Sequence, residues 1–213
     1  MKLGDIKAQA LSLMFVNTSE EIAHDNLLDR MDDDTYGYYL VRMSDALNRA
    51  FSAMERARVL PVRSEELVAA AGVETPRGVR FELGVMIPDF YDVERVVKES
   101  RAGYEAAADY YREGDAVMIE GFDTAAMYRL LYRPSIRRVS AGTADDYEVS
   151  EIPDRMACYL PYAIKAEIFR NDDPDEAERA RAVFEEAMAA FAMEERASHR
   201  GRVRTVYGGG LML

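Results

Sequence analysis

The sequence predicts an α+β protein, with a helical N-terminal part and a C-terminal helix hairpin around a small antiparallel β-rich insert. Three observations lead there. Apolar residues recur at steps of three and four through the first part of the chain. Between about Pro76 and Pro153 that period gives way to short apolar runs punctuated by Gly, Pro and β-branched residues. After Pro153 the helical period returns. The expected division is a helical bundle at 1–75 and 154–195, a β-rich insert at 76–153, and an extended basic and Gly-rich arm at 196–213.

The elements follow in order. Leu3, Ile6, Ala10, Leu13 and Met14 lie on one helical face. Asn17-Thr18-Ser19 interrupts that helix. Thr18 with Glu21 three residues on then reads as a capping box for a second helix through Ile22, Leu27 and Leu28 toward Met31. Asp32-Asp33-Asp34 suits a helix N-terminus, where carboxylates face unpaired N–H groups and the positive dipole end. Behind it Tyr36, Tyr39, Leu40, Met43, Leu47, Ala50, Phe51 and Met54 mark a long amphipathic helix stopping near Leu60-Pro61. Ser64-Glu65-Glu66 hints at a short helix.

In the insert the candidate strands are Val79–Val85, Tyr91–Glu99, Ala116–Glu120, Met127–Tyr132 and Tyr147–Ile152, with turns at Gly114-Asp115 and Gly121-Phe122-Asp123. Tyr104–Arg112 fits either helix or strand edge. Asp154 then caps a helix carrying Met156, Leu160, Ile164 and Ile168, with a kink expected at Pro161. Asp173 as N-cap, Pro174 at the first helical position and Glu176 closing a capping box start the last helix, which presents Ala177, Ala180, Phe184, Ala187, Met188 and Phe191. A short loop between these two helices makes them antiparallel neighbours.

Composition narrows the function. There are 27 basic against 39 acidic side chains, a net of −12, so the surface repels a phosphate backbone and a sequence-reading DNA-binding domain is disfavoured. Tyr and Met, at 13 and 12 copies, serve contact surfaces as readily as they fill cores. The single cysteine, Cys158, allows no intrachain disulfide and no thiolate zinc cluster, which fits a reducing compartment. The first residues, Met1-Lys2-Leu3-Gly4-Asp5, carry no signal-peptide pattern, and no apolar stretch approaches the roughly 20 residues of a membrane span.

No constellation for chemistry stands out. Glu21-Ile22-Ala23-His24 is an E-x-x-H unit of the kind that converges in pairs on a di-metal centre, but the other histidine, His199, follows Glu195 by four residues rather than three. A solvated histidine is the simpler reading. Cys158 has no histidine near it in sequence and reads as a buried structural thiol. There is no nucleophile elbow, P-loop or dinucleotide fingerprint. Asp32–Asp34, Asp145-Asp146 and Asp172-Asp173 lack calcium-loop spacing and are explained by caps and turns. The expectation is a protein that is no enzyme and holds no cofactor or metal.

The end of the chain is the anomaly. Arg196, Arg200, Arg202 and Arg204 follow Glu195 with no acid among them, and Tyr207 precedes a Gly-rich end. One reading is solubility. The other is a docking arm, Arg196 to Tyr207, whose positive charge complements an acidic neighbour or partner.

Three further runs carry a resemblance. They are Ile87-Pro88-Asp89-Phe90-Tyr91-Asp92-Val93-Glu94-Arg95-Val96, Met127-Tyr128-Arg129-Leu130-Leu131-Tyr132-Arg133-Pro134, and Tyr147–Pro153 leading into Leu160-Pro161-Tyr162-Ala163-Ile164-Lys165-Ala166-Glu167-Ile168-Phe169 and Asp172-Asp173-Pro174-Asp175. Together they resemble the head–tail connector (adaptor) proteins of tailed bacteriophages, in layout over roughly Met31 to Phe191. The resemblance implies a virion structural subunit of the neck region, made in the host cytoplasm. It implies a homo-oligomeric ring, often dodecameric, between portal protein and tail proteins, with DNA passing through its lumen. It carries over no catalytic residue. In such families a C-terminal segment commonly reaches the portal, and Arg196 to Tyr207 is the matching stretch. Another tail-completion or scaffold-type interaction module is the alternative, and a metal-binding helical enzyme a more distant one.

Overall fold

The computed structural model describes residues 1–15, 34–99 and 105–202. They form two compact units, one of Met1–Val59 with Ile136–Arg196, the other of Leu60–Ser135 with the described residues from Ala197 on. The α+β class is as the sequence predicts. The boundaries of the β-rich part differ from those expected: it starts near Leu60 rather than at 76 and ends at Ser135 rather than 153.

The first unit is helical. Helix α1 (Leu3–Met14) and helix α2 (Asp34–Ala57) both pack on α5 (Leu160–Ile168). The predicted apolar faces meet there, with Leu3, Ile6, Leu11, Met43, Leu47, Phe51, Leu160 and Ile164 fully buried. The expected helix over 22–31, with its Thr18/Glu21 box, lies outside the described residues. Helix α2 ends before Pro61. Arg58 takes φ 57°, Arg58 N–H donates to the Glu55 carbonyl and Val59 N–H to that of Met54, the pairing that closes a helix C-terminus around one left-handed residue.

The return segment 136–153 has no strand, contrary to the expected strand over Tyr147–Ile152. Its backbone serves α1 instead. Leu3 and Gly4 N–H groups, which lack partners within their own helix, donate to the carbonyls of Tyr147 and Asp145. Lys7, nearly buried, pairs with Asp145 at 2.7 Å. From α2, the Asn48 amide accepts from Val139 N–H and donates to its carbonyl, as a strand neighbour would. One turn pair further on, the Glu55 carboxylate, 3% exposed, takes Ile136 N–H at 2.8 Å and Arg138 at 2.6 Å.

The second unit is two four-stranded antiparallel sheets sharing one core. The first has the order β1 (Arg63–Leu67), β8 (Met127–Pro134), β4 (Phe90–Glu99), β5 (Glu105–Ala107). The second has the order β2 (Val73–Thr75), β3 (Gly78–Glu82), β7 (Ala116–Glu120), β6 (Tyr110–Glu113). Alternate residues Val79 and Phe81 of β3 and Tyr128, Leu130 and Tyr132 of β8 point into the core, as the two-residue period requires. Ser64-Glu65-Glu66 forms the exposed edge strand β1, not a helix. The run expected as a strand to Val85 turns at Leu83 into a single helical turn, α3 (Leu83–Met86), closed by Ile87 N–H on the Leu83 carbonyl. The expected turns at Gly114 and Gly121 are present, with φ 62° and 57°.

Candidate docking surface

The C-terminal hairpin carries the predicted arm, and local sequence explains its start. Pro161 occupies the first turn of α5 rather than kinking a longer helix. The chain forms a separate helical turn, α4 (Asp154–Ala157), and restarts after Tyr159. Asp154 does not act as its cap; Pro153 holds that position. Helix α6 (Pro174–Arg202) begins as expected, with the Asp173 carboxylate accepting Glu176 N–H at 3.1 Å. The Glu176 carboxylate turns instead to Lys165 at 2.8 Å and to Arg179. The same Lys165 donates to the Leu13 carbonyl at the end of α1, so one ammonium joins the C-terminus of one helix to the N-terminus of another. The Lys165 hydrogen bond, its charge, and then Arg179 hold Glu176 below the ordinary carboxylate range.

Further along, Tyr159 meets Phe191 edge to face at 6.0 Å, and Arg155 reaches both the Phe191 ring and Glu194. Lys165 opposite Glu176 and Tyr159 opposite Phe191 fix α5 and α6 as antiparallel. Ala177, Ala180, Phe184 and Ala187 form the buried face of α6. From Ala189 to Ala197 no side chain is fully buried, and Met193 is 70% exposed.

The basic end is therefore helical where an extended arm was expected. Arg196, exposed, and the backbone of Arg200 and Arg202 lie in α6; Arg204 and Tyr207 lie outside the described residues. Helix continues through 196–202 because nothing in that stretch breaks it before Gly201, and cations suit a helix C-terminus. Residues 174–195 hold seven acids and two arginines, whereas 196–202 hold three arginines and no acid, so the helix is polarised along its length.

His24 lies outside the described residues. Among those described, no group of three or more His, Cys, Asp or Glu side chains could hold a metal, and no helix is long and apolar enough to cross a membrane. Cys158 is exposed, not buried as expected, and its thiol donates to the Arg155 carbonyl. It borders a groove of about 290 Å³ lined also by Gln9, Ser12, Leu13, Pro161 and Tyr162. The groove has no charged side chain in its lining and brings no base beside the thiol.

In the β-rich unit two polar groupings went unforeseen. Arg133, 4% exposed, donates to Glu94 and to the Leu60 carbonyl. Asp89, from the Ile87–Val96 run, accepts from Tyr132 at 3.2 Å and pairs with Arg63. Burial first, then the Asp89 charge, pushes the Tyr132 hydroxyl up. These contacts tie β1, β4 and β8 together. Neither family models nor curated proteins match the chain.

Proposed function

We propose that the chain is a structural head–tail connector (adaptor) subunit of a tailed bacteriophage, forming a ring between portal and tail proteins. Under this reading twelve copies is the expected ring, DNA crosses an acidic lumen, and the protein is not an enzyme. The observation that supports it best is the C-terminal hairpin. The same residues that carry the connector resemblance, Leu160 to Asp175, start a helix that runs on into the arginine-rich segment, with Ala187 the last buried of its described side chains. An acidic body ending in four arginines with no acid among them offers a positive contact to a partner while denying DNA a phosphate-binding wall.

The test is co-sedimentation with portal protein. The full chain should associate with portal, and a chain ending at Glu195 should stay folded and lose most of that association. Equal binding by both forms removes the docking role of the basic end; no binding by either removes the connector reading.

A further inference from the structure

Helix α6 has a second face. Its buried stripe is Ala177, Ala180, Phe184 and Ala187, while Val183, Glu186, Ala190 and Met193 follow a heptad pattern on another side of the helix and are all exposed. Val183 is 38% and Met193 70% exposed, so the two large apolar side chains of this face both reach solvent. Alanine at position 190 lets a second helix approach closely, and Met193 adapts to what it meets. Independently of the connector reading, we infer that this face pairs the free subunit with a second copy of itself, α6 against α6 in antiparallel orientation.

Charge selects the occupant and the direction. A parallel pair in register would set acidic half against acidic half and arginine-rich end against arginine-rich end. An antiparallel pair with Met193 packed on Ala190 of the second copy brings each Arg196 beside the other copy's Glu186, and opposes the two helix dipoles. The contact is isologous, so it closes at two copies. It covers only a few turns and includes a small residue and a charge, Ala190 and Glu186, which makes it a weak, salt-sensitive association rather than a permanent one.

Analytical ultracentrifugation of the full chain, without portal, tests this. The expected result is a monomer–dimer equilibrium, weakened by added salt. Met193→Glu should weaken it by about tenfold or more, since truncation or charge at the centre of a small interface dominates its energetics. Glu186→Arg alone should weaken it, and Glu186→Arg with Arg196→Glu should restore it. These positions are exposed, so circular dichroism should show all variants folded. A monomer at every concentration, a dimer indifferent to Met193→Glu, or no rescue by the charge swap overturns the proposal. None of these outcomes bears on portal binding, which is measured separately.

Discussion

Gly78 sits where β3 crosses closest to β7: a Cβ there would lie 2.0 Å from the Ile119 carbonyl oxygen. Backbone cannot yield as a side-chain tip can, so Gly78→Ala should cost about 2 kcal/mol or more, read from urea denaturation. Asn48 is the helical counterpart, one amide satisfying both polar groups of Val139. Asn48→Ala leaves a donor and an acceptor short of partners and should cost about 1–3 kcal/mol. Glu176 gives a pH signature. Its folded-state pKa is depressed, so its contribution is present above the unfolded carboxylate value of about 4.3 and fades as pH falls through the folded value. The melting-temperature gap between the native chain and Glu176→Gln should be present at neutral pH and close below about pH 4; a gap independent of pH would contradict the Lys165 pairing. Caps and turns such as Asp173 and Gly114 were legible because their partners are a few residues away. The sites docked by Asn48 and Glu55 were not, because their partners return to α2 only after the whole β-rich unit has been traversed.

At the scale of elements, apolar runs read correctly and polar or loop-bound short segments did not. Helix α2 and strands β4, β7 and β8 match the elements expected from apolar spacing and β-branched runs. Strand β1 did not, because Ser64-Glu65-Glu66 has helix-compatible composition. It is held extended by pairing with β8, and its charges guard an open sheet edge. Tyr147–Ile152 has strand composition but spends its hydrogen bonds on the start of α1. In α6 the division between seat and overhang can be measured. Phe184→Ala should destabilise by about 3–5 kcal/mol, as loss of a buried aromatic does. Ending the chain at Glu195 should leave the melting temperature nearly unchanged, because Arg196 and Ala197, the described side chains it removes, are both exposed.

For the whole molecule, the fold class was legible and the unit boundary was displaced at both ends, because the β-rich unit takes in residues 60–75 and the segment 136–153 serves the helices. The candidate surface was legible as charge but not as shape: the arginines were visible in sequence, their place on a continuous helix was not. A net charge of −12 with an acid-free run of arginines at the end of α6 gives the proposed connector role its electrostatic basis. Electron cryomicroscopy of the chain mixed with portal protein tests this most directly. A closed ring of subunits seated on the portal, with the arginine-rich end of α6 at the contact, is the predicted image. Particles of bare portal beside unassociated subunits would contradict it.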